Sequence, residues 1–184
     1  QQAIALTLKA KKANQIKNKA HLVRLYINIG LNYDFLKKYD LANQSYQKAN
    51  QLLKTLPQKH KKYHTLSKAI YNNMGSNYQE LGDFSNAFLF LQKKLVIPDL
   101  KPIDIADTYK NIGTAFFKQK KYALALDTLN AALKIRKGLF ANKSDVLSRN
   151  YKAIGDVQLA QKNYTEALNS YQKAIQAVVI DFDN

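Results

Sequence analysis

The hydrophobic positions of this chain recur in a fixed frame that is written four times. Each copy has an aromatic residue four positions before a glycine, a second aromatic nine positions after it, and an alanine three residues further on. The four glycines are Gly30, Gly75, Gly113 and Gly155. Apolar residues before each glycine are spaced by three and four, as on one face of an α-helix. A polar break then leads into a second periodic run, so each copy predicts a helix, a tight turn and another helix.

The frame glycines indicate where the two helices of a copy meet. Glycine inside a helix costs about 1 kcal/mol relative to alanine, yet four of the six glycines in the chain hold this one position. A neighbouring helix that approaches too closely for a Cβ atom would account for that cost. The alanine after the second aromatic residue is interpreted in the same way, as a small side chain that lets the second helix lie against the first.

In its order and spacing, the frame resembles the tetratricopeptide repeat (TPR), and the resemblance covers nearly the whole chain. Successive frame glycines are 45 residues apart (30 to 75), then 38 (75 to 113), then 42 (113 to 155), whereas the ordinary repeat has a period of about 34 residues. The longer period is similar to that of kinesin light chains and of bacterial TPR sensors. The resemblance implies an all-α fold, a right-handed superhelical solenoid of antiparallel helix pairs whose first helices line a concave ligand-binding groove.

The repeats predict a single TPR domain over residues 1–184, with four full repeats and a partial N-terminal one. Residues 1–22 carry alanines at the spacing of a second helix, and we interpret them as the remaining helix of a truncated upstream repeat. The full repeats are predicted at 23–67, 68–104, 105–144 and 145–184. Asp104 and Ser144 are expected as helix N-caps. Capping is also expected of Asp107, because acids near helix N-termini are stabilised by the helix dipole.

Three asparagines stand two positions before the frame glycine, on the face expected to line the groove. They are Asn28, Asn73 and Asn111, and the fourth repeat has Ala153 instead. An amide both donates and accepts hydrogen bonds. Such a ladder can hold the backbone of an extended peptide, which is the role that the resemblance to peptide-binding TPR proteins implies. The alternative is that these asparagines bond neighbouring helices.

Basic residues gather on the same predicted face in the last two repeats. Lys110 and Lys152 are three positions before the glycine, where the second repeat has Asn72, and Arg149 is six positions before it. These cations can pair with the carboxylates of a ligand. The clamp by which some TPR proteins hold chaperone tails is disfavoured, because apolar residues occupy the positions that it needs in the first repeat.

Charge raises a second possibility for function. The 184 residues include 29 Lys and Arg against 13 Asp and Glu, a net charge of +16. Such a field favours anionic partners, so a Lys-rich surface that binds nucleic acid or an anionic membrane is the alternative. Only three of the cations are Arg, and base-reading proteins depend on bidentate Arg, which argues against sequence-specific DNA binding. No apolar run approaches the roughly 20 residues of a membrane span.

No catalytic constellation is recognised, and no cofactor is predicted. The chain has no cysteine, which excludes disulfides, thiol catalysis and Cys-bound zinc but leaves the compartment open, with a cytoplasmic location slightly favoured over a periplasmic one. His60 and His64 are four apart, but two lysines and no Glu lie nearby, so no metal site is predicted. The sequence therefore predicts a non-enzymatic scaffold that binds a protein or peptide, with a preference for acidic segments, as the sensory or adaptor part of a larger protein. A TPR region that regulates a kinase or caspase-like protease outside this chain is a further alternative.

Overall fold

The computed structural model describes residues 18–60, 62–140 and 144–178, and these residues form eight α-helices without a β-strand. The helices are α1 (Lys19–Phe35), α2 (Tyr39–Leu53), α3 (Tyr63–Glu80), α4 (Phe84–Leu95), α5 (Pro102–Lys118), α6 (Tyr122–Leu139), α7 (Asp145–Ala160) and α8 (Tyr164–Gln176). The predicted all-α fold is confirmed. Of the upstream helix predicted at 1–22, residues 1–17 lie outside the described residues, and residues 19–22 belong to α1.

The helices are grouped in two compact units that divide between Asp99 and Leu100. Unit 1 contains α1–α4 and unit 2 contains α5–α8. In each unit, consecutive helices pair as two hairpins, and the second helix of the first hairpin also contacts the first helix of the next hairpin. Each hairpin corresponds to one copy of the sequence frame. Across the described part of the chain, no helix combines the length and the apolar character needed to cross a membrane.

The frame glycines lie where the two helices of a hairpin touch, as the sequence predicts. A Cβ atom on Gly113 would lie 2.7 Å from Cγ of Leu129, and one on Gly75 would lie 2.8 Å from Cγ of Leu91. The frame alanines Ala87 and Ala125 are fully buried. Glycine is therefore required in these helices because the facing side chain occupies the space that a Cβ would take.

Each hairpin turn contains one residue in the left-handed conformation, seven positions after the frame glycine. In the second hairpin this residue is Gly82, with φ of 76°. The other hairpins use lysine, with φ of 57° at Lys37, 59° at Lys120 and 65° at Lys162. In the first turn, the N–H of Lys38 donates to the carbonyl of Tyr33 over 2.9 Å. This geometry satisfies a free carbonyl at the helix end and reverses the chain within a few residues.

The N-cap prediction for the fourth repeat is confirmed, and that for the third is wrong. The Val146 N–H donates to Oγ of Ser144 over 3.2 Å. Helix α5 instead begins at Pro102, with Lys101 as its N-cap. Proline suits the first helical position because its φ is already helical and it has no N–H to satisfy. Asp104 lies in the first turn of α5, where the helix dipole still favours a carboxylate.

Candidate functional site

Three cations meet on helices α5, α6 and α7 of unit 2, and we call Lys110, Arg136 and Arg149 the basic cluster. Arg136 lies in the last turn of α6 and is only 3% exposed. Lys110 is half-buried in α5, and Arg149 is exposed near the start of α7. Both Arg136 and Arg149 act electrostatically on Lys110. The three side chains therefore form one electropositive site.

The buried guanidinium of Arg136 is held by oxygens from two neighbouring helices. It donates to Oδ1 of Asp107 over 2.6 Å and to Oδ1 of Asn150 over 2.7 Å. Asn150 is fully buried and donates to the carbonyl of Leu129 over 2.9 Å. Because a guanidinium presents several donors in one rigid plane, Arg136 joins α5, α6 and α7. The capping role expected of Asp107 is wrong, since its carboxylate holds Arg136.

Lys110 and Arg149 remain available to a ligand. Among the described residues, none forms a hydrogen bond or ion pair with the Lys110 ammonium or the Arg149 guanidinium. The pKa of Lys110 is lowered, first by burial and then by Arg136, with Arg149 adding to the lowering and Asp107 opposing it. Asp107 is already bonded to Arg136. An anionic group from a ligand would relieve the repulsion among these cations.

Lys152 lies on the same face of α7 as Arg149 but has its own carboxylate. Its ammonium is 2.9 Å from Oδ2 of Asp156, one turn along the helix. Asp156 also accepts a hydrogen bond from the Tyr171 hydroxyl over 2.9 Å. An exposed pair of this kind contributes only about 0.3–0.5 kcal/mol. Lys152 can therefore exchange this partner for a ligand at little cost.

An apolar hollow of about 210 Å³ adjoins the basic cluster within unit 2. Its lining includes Thr114, Phe117, Leu129, Ala153, Asp156 and Val157. Ala153 takes the frame position at which the other three repeats have asparagine, and its short side chain leaves room there. Because Thr114 follows Lys110 by four residues, the hollow begins one helical turn from the Lys110 side chain.

Asn28 and Asn73 lie on the contacting helices α1 and α3 of unit 1. Asn28 is exposed and Asn73 is half-buried. No described residue hydrogen-bonds to either side-chain amide. The backbone carbonyl of Asn28 accepts a bond from the Asn32 amide over 2.8 Å, within the same helix. Both side-chain amides are thus available to a ligand.

The remaining predicted groove residues, Asn72 and Asn111, interact within the chain. Oδ1 of Asn72 accepts a hydrogen bond from the Lys94 ammonium over 2.9 Å. Lys94 is only 4% exposed and stands where the other repeats have alanine. Asn72 therefore has a structural role in holding α3 to α4. Asn111 is half-buried in α5 and also interacts with other residues.

Sequence reasoning missed Arg136 and Asn150, which organise the basic cluster. Each occupies a frame position that holds a buried apolar residue in unit 1, Leu53 and Ile70 respectively. The sequence does contain a signal for Arg136, because aligning the four copies places this cation at a position that is otherwise apolar. Comparing the exceptions to the frame, in addition to its constant positions, would have found it.

Comparisons with known proteins agree with these repeats. Family models described as tetratricopeptide repeat match residues 23–52 and 104–178. Among solved structures, the apo form of RapI superposes with a TM-score of 0.75 at 18% identity, covering 92% of this chain and 60% of that chain. BtubC (BKLC) from P. vanneervenii superposes with a TM-score of 0.76 at 20% identity, covering 94% and 70%. MamA gives 0.63 at 19% identity, covering 95% and 85%.

These similarities establish the fold and the family. The chain spans about 60% of the length of the RapI chain, and at these identities the solved structures show a shared helical-repeat solenoid. No curated protein matches the sequence. The sequence frame, its four helical hairpins and the two family models together identify the chain as a member of the tetratricopeptide repeat family, whose repeats indicate a protein-interaction scaffold.

Proposed function

We propose that this chain is a non-catalytic scaffold that binds an extended segment of a partner protein on its first helices, with a carboxylate of that segment held by Lys110 and Arg149. The observation that carries the proposal is that neither cation forms a hydrogen bond or ion pair with a described residue, while Lys110 is subject to the charges of both Arg136 and Arg149. A charge-assisted hydrogen bond is stronger than a neutral one. An acidic segment gains two such bonds at this site.

The basic cluster is preorganised. Arg136 is fixed by Asp107 and Asn150, so its charge does not move when a ligand arrives. Lys110 is half-buried on α5, which restricts the rotamers of its stem. Ordering of a side chain on binding costs roughly 0.5–1.5 kcal/mol, and the restraint on Arg136 and Lys110 avoids part of that cost.

The apolar hollow adds a second requirement for the partner. Lys110 and Thr114 are four residues apart, which is about 6 Å along the helix axis. Side chains on one side of an extended peptide are about 6.6 Å apart, because each residue advances about 3.3 Å. Where the segment runs parallel to α5, an acidic residue at the basic cluster therefore places the side chain two positions away over the hollow. The preferred segment has an acidic residue and a medium-sized apolar residue at positions i and i+2.

In unit 1, Asn28 and Asn73 offer amides to a peptide backbone. Each can donate to a carbonyl and accept from an N–H, so they bind a segment without selecting its side chains. Considered by itself, unit 1 therefore offers a sequence-independent contact, and unit 2 by itself offers a selective one. As part of a larger protein, such a scaffold serves as a sensory or adaptor region.

Selection from a peptide library tests this proposal and requires no identified partner. Random dodecapeptides displayed on phage are selected on the immobilised chain, and in parallel on the double variant Lys110→Ala, Arg149→Ala. We expect enrichment of an acidic residue two positions from an apolar one on the wild type and loss of that motif on the variant. Enrichment without an acidic residue, or the same motif on both proteins, would refute the carboxylate site.

Phosphate is the alternative anion for the same cations, because the net charge of +16 also attracts nucleic acid and anionic lipid. Binding to a polyanion through phosphates falls steeply as salt increases. Retention of the chain on heparin and on duplex DNA is measured as salt is raised from 50 to about 200 mM, the range over which phosphate contacts lose most of their affinity. If the wild type and the double variant are retained equally strongly on DNA, the general Lys-rich surface, and not the basic cluster, would be the binding site for phosphate.

A further inference from the structure

A second groove distinguishes the two units. In unit 1, aromatic rings of α3 and α4 pack against one another. Phe90 stacks on Tyr78 with ring centroids 5.6 Å apart and planes inclined by 10°, and it lies 6.1 Å from the ring of Tyr71. The Lys93 ammonium is 4.9 Å from the centroid of Phe90, and the Tyr78 hydroxyl accepts a bond of 3.4 Å from Gln47. This part of unit 1 is a closed aromatic core.

Unit 2 has the same frame positions without the central ring. Counted from the frame glycines, Ser170 replaces Phe90, and Gln158 replaces Tyr78. Two partners of the Phe90 ring have identical counterparts, with Tyr151 and Lys173 at the positions of Tyr71 and Lys93, and Asn130 stands at the position of Gln47. Ser170 donates a hydrogen bond of 2.7 Å to Oε1 of Gln158. That bond joins α7 and α8 but leaves the volume of the missing ring unfilled.

The result is an open groove of about 290 Å³ lined by helices α6, α7 and α8, which we call the outer groove. Tyr151 and Ile154 line it from α7, and Leu126 and Leu133 from α6. The Lys137 ammonium lies 5.6 Å from the Tyr151 ring centroid. A cavity of about 150 Å³ is large enough to hold benzene. The outer groove therefore has room for one aromatic side chain.

We propose that the outer groove binds an aromatic side chain of a partner protein, in the place that the Phe90 ring takes in unit 1. Tyr151 supplies the aromatic contact, and Lys173 lies over the bound ring as Lys93 lies over Phe90. Aromatic pairs and cations over rings are both attractive because of the ring quadrupole. The rim amides of Asn130 and Asn169 bind the hydroxyl of a tyrosine or the backbone that carries the ring.

This site is separate from the basic cluster and does not depend on it. Its lining shares no residue with Lys110, Arg136 or Arg149. Two of its three lining helices, α6 and α8, are second helices, whereas the groove predicted from the sequence is lined by first helices. A partner can therefore engage either surface without the other.

Titration with small probes tests the proposal on the whole chain. N-acetyl-phenylalaninamide is added to ¹⁵N-labelled protein, with N-acetyl-leucinamide as a control of similar size that lacks the ring. We expect the aromatic probe to shift amide resonances in the parts of α6, α7 and α8 that line the outer groove, and the leucine probe to bind more weakly. In Ser170→Phe, the new side chain occupies the site, and Kd for the aromatic probe rises by about tenfold or more, equivalent to about 1.4 kcal/mol.

Ser170→Ala is the matched control, because it removes the hydroxyl without filling the groove, and it should retain binding. If Ser170→Phe does not fold, Gln158→Tyr tests the same point by restoring the counterpart of Tyr78, and it should also weaken the probe. The proposal is overturned if the leucine probe binds as tightly, if the filled variant binds like the wild type, or if the shifts fall outside α6–α8.

Discussion

The two units use the same frame, but the polar networks that join the two hairpins of a unit lie at opposite ends of the helices. In unit 1 the polar network lies near the hairpin turn, where Asp34 accepts hydrogen bonds from the Tyr46 hydroxyl and, over 2.7 Å, from the Asn77 amide. Burial and this carboxylate raise the pKa of Tyr46. The corresponding residues of unit 2 are the apolar Phe117, Leu129 and Val157.

At the other end of the helices the polarity is reversed. Unit 1 has the fully buried Leu53 and Ile70, whereas unit 2 has Arg136 and Asn150. The frame therefore specifies the size and spacing of the side chains that pack helix on helix, but it does not specify polarity. In unit 2, the helix end that contains Arg136 and Asn150 is also the end at which the basic cluster lies.

The aromatic core gives the largest expected difference between the units. Phe90→Ala in unit 1 should lower the free energy of unfolding by about 3–5 kcal/mol, because it removes a buried ring and leaves a cavity. The reciprocal change Ser170→Phe in unit 2 should raise it by roughly 0.5–1.5 kcal/mol through new ring contacts. Urea unfolding followed by circular dichroism measures both. Equal and small effects at the two sites would mean that the outer groove is not the counterpart of the aromatic core.

The Arg136 network should be the next most sensitive feature. Asp107→Ala leaves a buried guanidinium without its carboxylate, and breaking a buried pair in this way costs about 3–5 kcal/mol. We expect a value near the lower end of that range, because the Asp107 side chain is 48% exposed. The double variant Arg136→Leu, Asn150→Ile places the residues of unit 1 at these two positions. Its free energy of unfolding should be closer to that of the wild type than the value for Asp107→Ala. Failure of that exchange would show that the units are not interchangeable at this end.

The pH dependence of Lys110 gives a smaller effect with a defined sign. Its pKa in the folded chain is lowered from 10.5, so the unfolded chain binds more protons just below pH 10.5 and the stability of the fold rises with pH there. Binding of an acidic segment requires the protonated ammonium, so affinity should fall as pH rises through the lowered pKa. Lys110→Met should abolish both the contribution of Lys110 to the rise in stability and its contribution to the fall in affinity. Calorimetric titrations and unfolding curves between neutral and alkaline pH measure them.

The hairpin turns provide the smallest test. Lys120 holds a left-handed φ of 59°, whereas unit 1 uses Gly82 at the equivalent position of its second hairpin. The left-handed conformation costs about 1–2 kcal/mol for a residue with a Cβ, and glycine avoids it. Lys120→Gly should therefore raise the thermal midpoint slightly, with part of the gain lost to the greater entropy of the unfolded chain. The converse change Gly82→Lys should lower the midpoint by a similar amount.

The sequence predicted the architecture because the packing residues repeat. The contacting pairs have a constant spacing in the sequence, as in Gly113 with Leu129 and Gly75 with Leu91. The helical period of the apolar residues can also be recognised without a structure. The interactions that break the repeat could not be predicted in this way. Asn72 pairs with Lys94 because a lysine replaces an alanine on another helix, and that partnership depends on side-chain geometry in three dimensions.

We propose that Lys110 and Arg149 bind a carboxylate as a specific site. The most direct measurement is the Kd of a selected acidic peptide for three proteins: the wild type, Lys110→Ala with Arg149→Ala, and a control, Lys48→Ala with Lys59→Ala, which removes the same charge from exposed positions of unit 1. Hydrogen bonds to charged groups are worth about 1.5–3 kcal/mol each, so the cluster variant should lose at least about tenfold in affinity while the control binds like the wild type. An equal loss in both variants would refute the carboxylate site, since it would assign the binding to net charge alone.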